Sequence, residues 1–233
     1  MFFSVSYKTN RSLCSACGVE RGDFPLEAPA GPQGATLAHL LSHASGLPSM
    51  PGEPIAQPGK RRIYSNYGFD VLSSWVQEHT GKPISAYIQQ NVLNPLGMDT
   101  TVIPGSIAYS GRSTLDSLIR FAAELLQPTL VSSELFTKAT EIAFNNIPGV
   151  LPGYGRQENN AWGLGFEIRA QKSPHWLAPD FSAHSFGHFG QSGSFIWVDP
   201  QVRKAGVFLS NRNFGQDHIM RWGDLTAQMR ALN

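Results

Sequence analysis

A chain of 233 residues, 41% hydrophobic and 15% charged, is long enough to bury a sizeable core. Its net charge of +1, with Lys and Arg scattered rather than clustered, leaves no nucleic-acid footprint. No apolar run approaches the ~20 residues of a membrane-spanning helix, and the start Met1-Phe2-Phe3-Ser4 lacks the basic and apolar segments of a signal peptide, so the chain as it stands is expected to carry no export address, its localisation being left open.

Residues 5–20 read as a weak helix, because Asn10, Ser12, Ser15 and Gly18 lower its propensity. Cys14 and Cys17 are spaced C-x-x-C and are open to three readings: incidental thiols, a redox pair, or half of a zinc site shared with His39 and His43. The redox reading lacks a βαβ context, and the 21 residues between Cys17 and His39 exceed the usual finger spacing, which favours incidental thiols. The seven histidines show no coherent metal-ligand pattern, and no cofactor is expected.

Residues 22–35 and 48–61, rich in Gly and Pro, read as loops. Between them Thr36 caps a short helix through Leu37, Leu40 and Leu41 that stops near Ser45-Gly46. Ser65 or Asn66 caps the next helix, with Phe69, Leu72, Trp75 and Val76 at helical spacing and Gly81-Lys82-Pro83 as its break. Another helix spans about Ile84 to Val92. Ser113 is expected to cap a helix whose Leu115, Leu118, Ile119, Ala122, Leu125 and Leu126 form one core stripe, with Asp116 favouring its start.

Past Trp162 the texture changes. Gly163 to Ile168, Ser194 to Val198 and Ala205 to Ser210 read as strands, the last two joined as a hairpin through Asp199 to Arg203. Met220 to Leu232 reads as an amphipathic helix. The expected class is α+β in a single domain over 1–233, with residues 1–20 irregular, 21–160 mainly helical and 161–233 made of antiparallel strands and a closing helix.

Four segments stand out by their order. They are Leu40-Leu41-Ser42-His43-Ala44-Ser45-Gly46-Leu47; Tyr64-Ser65-Asn66; Gly81-Lys82-Pro83 with Asn94-Pro95-Leu96-Gly97-Met98; and Gly187-His188-Phe189-Gly190-Gln191-Ser192-Gly193 followed by Trp197-Val198-Asp199-Pro200. Together they resemble the serine β-lactamase-related hydrolases, a family that includes class C β-lactamases and penicillin-binding-protein-like enzymes. The likeness runs in order from about Gly22 to the C-terminus. It implies that family's fold, an antiparallel sheet flanked by helices plus a helical subdomain, with the family's N-terminal strands missing here.

The resemblance also implies a chemistry: hydrolysis of an ester, amide or peptide-like small substrate through an acyl-serine intermediate. A lysine close to the serine takes its proton. Ser4 and Lys8 fall where the nucleophile and lysine belong, and Tyr64 joins Lys8 in the base system or relays a proton to the leaving group. Asn66 offers its amide to the lysine or a substrate carbonyl. His188, on a strand edge across the cleft, donates toward Tyr64 or a substrate carboxylate, and Gly190 and Gln191 line the substrate, the Gln191 N–H as an oxyanion donor. His43 is expected to be structural, bonded within the Leu40–Leu47 turn.

The nucleophile region departs from the family. Val5, not a serine, lies three before Lys8; Ser4 lies four before and Ser6 two before. On a helix Ser4 and Lys8 share a face, whereas Ser6 and Lys8 point about 200° apart. Thr9-Asn10-Arg11-Ser12 is polar where the family has an apolar helix, as expected of a shortened or frame-disturbed chain. Two readings therefore stand: an active serine hydrolase, or a silent member keeping the cleft as a binding protein or remnant. For single residues plainer roles compete, with Tyr64 and Asn66 ending a loop and capping a helix and His188 as a turn histidine.

Overall fold

The structure, a computed structural model, describes residues 3–4 and 18–232. Phe3–Ser4 forms strand β1, antiparallel to β2 (Arg112–Ser113), with Ser4 opposite Arg112. Of the weak helix expected over 5–20, residues 18–20 are helical. The remainder, including Lys8, Cys14 and Cys17, lies outside the described residues.

Helix α1 is Leu37–Leu41. The Thr36 N–H donates to His39 Nδ1 at 3.2 Å, so His39 serves the helix start. The helix ends at Ser42, short of the expected Gly46, because His43 takes the left-handed conformation (φ 59°) and the Ala44 N–H closes back on the His39 carbonyl at 2.8 Å. Gly46 is still required: its φ is 84°, and a Cβ there would run into the Ala56 carbonyl.

Helix α2 (Asn66–Thr80) is capped by Ser65, whose hydroxyl accepts from the Gly68 N–H at 2.8 Å, and stops at the left-handed Gly81. Helix α3 (Ile84–Ile88) continues as a π-helical turn over Gln89–Leu93 instead of remaining regular. There the Asn91 side-chain amide takes the Tyr87 carbonyl at 2.8 Å, the acceptor that a regular turn gives to the residue-91 N–H.

Helix α4 is Leu115–Leu126. Its cap is Thr114, not Ser113: the Thr114 hydroxyl accepts from the Ser117 N–H, while Ser113 sits in β2 and bonds the Thr101 hydroxyl at 2.7 Å. The expected core stripe divides. Leu118, Phe121, Ala122 and Leu125 are buried, but Leu115, Ile119 and Leu126 reach the surface. At 100° per residue those three lie roughly 70–110° from the centre of the buried face. A helix absent from the expectations, α5 (Ser133–Thr140), starts at Ser132, and β3 (Gly149–Leu151) pairs with β4 (Gly155–Gln157) as a small hairpin.

The main sheet is fully antiparallel in the order β5 (Glu167–Ile168), β6 (Phe186–Phe189), β7 (Phe195–Asp199), β8 (Lys204–Phe208). The strand expected from Gly163 shrinks to β5, because the Gly163 N–H bonds the Phe166 carbonyl in a turn. The final helix α6, Gln216–Ala231, begins before the expected Met220. Alternation along β7 explains the layers. Ile196 and Val198 join the larger core, to which α4 contributes Phe121, Ala122 and Leu125; Phe195 and Trp197 join a second cluster with Trp176 and Trp222 of α6. The result is the expected α+β class, with the sheet between α4 and α6. No helix among the described residues is long and apolar enough to cross a membrane.

Candidate active site

Tyr64 is placed by its neighbours. The Ile63 N–H donates to the His43 carbonyl at 2.9 Å, and the Ser65 N–H donates to His43 Nδ1 at 3.0 Å. The His43 ring therefore reaches out to the Tyr64 segment rather than bonding within its own turn, as expected from sequence. His43 has φ 59°, and its ring packs 4.8 Å from Tyr64 and edge-on to Trp162 at 4.7 Å.

Two residues before Tyr64, the Arg62 guanidinium is buried and donates to four carbonyls: Ser42 at 2.6 Å, Ala143 at 2.7 Å, Asn160 at 3.0 Å and Phe144 at 3.1 Å. It staples the turn after α1 to the segments before β3 and β5. Burial pushes its pKa down to about 10, which leaves it a cation at neutral pH. No motif marks Arg62. Its acceptors lie up to 98 residues away, so sequence reasoning passed over it.

Across the cleft, His188 Nε2 stands 3.4 Å from Tyr64 Oη, the rings nearly parallel with centroids 5.8 Å apart. Strand β5 ends opposite Gly187, so His188, whose strand partner is Ile196 of β7, lies where β6 runs past β5, near the strand's end and the turn at Gly190. There the Gly193 N–H closes on the Gly190 carbonyl and the Phe214 N–H on the Gln191 carbonyl. A cavity of about 540 Å³ is lined by Tyr64, Asn66, His188, Gly190 and Gln191, together with Tyr109, Trp162, Glu167 and Phe214. Five of the residues singled out from sequence thus share one cleft. The sixth, Ser4, has its backbone opposite Arg112, close in sequence to the Ala108-Tyr109 wall.

Glu167 brings an unanticipated group. Its buried carboxylate accepts from Lys172 Nζ, from His175 Nε2 at 3.1 Å and from Trp176 Nε1 at 2.8 Å. His175 Nδ1 accepts from the Leu177 N–H at 3.0 Å, so its proton lies on Nε2 and the ring donates while neutral. Burial alone would raise the Glu167 carboxyl, yet the Lys172 and His175 contacts outweigh it and hold it down to about 2. Burial lowers Lys172 to about 8 against the pull of Glu167, so the pair is charged at neutral pH. The one available signal was a glutamate inside the apolar run Gly165-Phe166-Glu167-Ile168.

A phenol, an imidazole, an amide and the Gly190-Gln191 turn lining one cavity can bind a carbonyl and move a proton. Among the described residues no group of three His, Cys, Asp or Glu side chains is arranged to hold a metal ion.

The chain matches the β-lactamase family model over residues 19–228. A β-lactamase structure from Mycobacterium bovis is 44% identical, covers 99% of this chain and 87% of that one, and superposes with a TM-score of 0.97. A D-stereospecific amidohydrolase from Streptomyces shares the fold at 18% identity and a TM-score of 0.70, over 94% of this chain and 85% of that one. A provisionally named D-alanyl-D-alanine carboxypeptidase of Escherichia coli K12 is 26% identical over 82% of this chain and 55% of its own length. The chain thus spans about half the length of that curated relative. With one family model covering most of its length and its fold shared throughout, this chain belongs to the β-lactamase family, whose members are serine hydrolase-like.

Proposed function

We propose that the chain hydrolyses a small ester, amide or peptide-like substrate by acyl transfer, with Ser4 as nucleophile. Lys8 and Tyr64 form the base system; His188 assists Tyr64; Asn66 and Gly190 bind substrate, and the Gln191 N–H serves the oxyanion. The observation that carries this is the 3.4 Å approach of Tyr64 Oη and His188 Nε2 over a cleft also lined by Asn66 and Gln191. Support for Ser4 comes from the pairing of β1 with β2, which continues from the Ala108-Tyr109 wall. A phenol beside an imidazole can accept a hydroxyl proton and pass it to a leaving group without leaving the site.

Turnover of a chromogenic ester tests this. The protein is expected to hydrolyse it, and Tyr64→Phe is expected to remove that activity while the fold persists by circular dichroism. Turnover that survives Tyr64→Phe would remove Tyr64 from the base system, and no turnover of esters and D-amino-acid amides alike would count for a silent binding protein instead.

A further inference from the structure

The Glu167 group lies where the reacting face of the cleft is assembled. Glu167 is in β5, directly opposite Gly187 of β6, and the next residue of β6 is His188. Lys172 Nζ, besides meeting Glu167, donates to the Ala161 carbonyl at 2.7 Å, immediately before Trp162. Trp162 is bridged to Glu167 through backbone pairing and presses its edge to His188 at 5.5 Å and to His43 at 4.7 Å, with Tyr64 at 6.0 Å. One buried ion pair thus touches both supports of the Tyr64–His188 pair: the strand that carries His188 and the indole packed against both rings. Glu167 and Lys172 side chains are 3% and 0% exposed, and Glu167 lines the cleft, so its charge acts there with little solvent screening.

We propose that Glu167, Lys172 and His175 are positioning residues for the cleft, fixing Trp162 and β6 and through them the Tyr64–His188 pair. This rests on Tyr64 and His188 being the reacting pair. Glu167 needs no contact with substrate. Its carboxylate orients Lys172, Lys172 orients the Ala161-Trp162 peptide, and the neutral His175 and the Trp176 N–H complete the carboxylate's hydrogen bonds, so the group has one preferred arrangement. The ionisable groups lining the same cleft, among the described residues, are Tyr64, Tyr109, Glu167 and His188.

The test compares wild type, Glu167→Gln and the double substitution Glu167→Gln/Lys172→Met. It follows kcat and KM on a chromogenic ester across pH, and the His188 imidazole by NMR, its signal assigned with His188→Gln. With native near-ultraviolet circular dichroism retained, Glu167→Gln is expected to lose about tenfold or more in kcat with KM changed by about twofold at most. The His188 ring signals are expected to move, as the 5.5 Å contact with Trp162 is no longer held. A purely structural role predicts lower stability with kcat within about twofold and the His188 ring signals unmoved, and that result would overturn the proposal. Should Glu167→Gln not fold, the double substitution, which buries no lone charge, is expected to fold and still lose kcat; a retained kcat overturns the proposal equally. If wild type turns over no substrate, the catalytic reading fails separately, and the His188 ring signals in Glu167→Gln still decide for or against positioning.

Discussion

Tyr64 stands between two histidine rings, 4.8 Å from His43 and 5.8 Å from His188. The two differ in use. His43 Nδ1 is taken by the Ser65 N–H and holds the segment; His188 approaches the phenolic oxygen itself. Tyr64→Phe keeps the packing and removes the oxygen, so kcat on an ester is expected to drop by ~10²-fold or more with little change in KM. Arg62 makes a contrasting case, as stability without chemistry. Each carbonyl left bare by its removal costs ~1–3 kcal/mol, and four are involved. Arg62→Met is therefore expected to lose at least ~3 kcal/mol, read as a lower urea midpoint at unchanged slope. Tyr64, Asn66 and His188 were legible in the sequence because each sits in a short local pattern. Arg62 and Lys172 were not, because their partners are backbone carbonyls or a carboxylate that only the folded chain brings near them.

Among the elements, α4 shows where periodicity stops informing. Ser113 and Thr114 are adjacent hydroxyl residues, and either satisfies a helix-start pattern; the pairing of β2 with β1 claims Ser113 and leaves the cap to Thr114. Thr114→Ala is expected to cost ~1 kcal/mol in denaturation experiments. The apolar stripe marked the helix but overstated its buried face, since one face of a helix holds only part of a 3.6-residue repeat. Leu118→Ala is expected to cost about 2–5 kcal/mol and Ile119→Ser less than about 0.5 kcal/mol, although both belong to the same stripe. The strands β7 and β8 were read nearly in place, because two apolar runs joined by Asp199-Pro200 leave few alternatives. Helix α5 and the β3–β4 hairpin were not read, being too short for periodicity to accumulate.

For the molecule as a whole, the α+β class and the family followed from the order of segments, and two of them, around Tyr64 and around His188, lie at ends of elements that the fold brings to the cleft. The buried charges did not follow, and they govern how stability changes with pH. Glu167 has a folded pKa near 2 against an ordinary 4.5. A depressed carboxylate contributes stability that is fully present above the unfolded value and is lost as pH falls from about 4.5 toward about 2. Thermal melting is expected to show that decline in wild type and a shallower one in Glu167→Gln; parallel curves would contradict the assignment.

The central claim is acyl transfer through Ser4, and covalent trapping tests it most directly. The folded protein is treated with a fluorophosphonate probe, weighed intact and mapped by peptide mass spectrometry. One adduct on Ser4, formed slowly or not at all in Tyr64→Phe, is the predicted result. A folded protein with no adduct on Ser4 would contradict it.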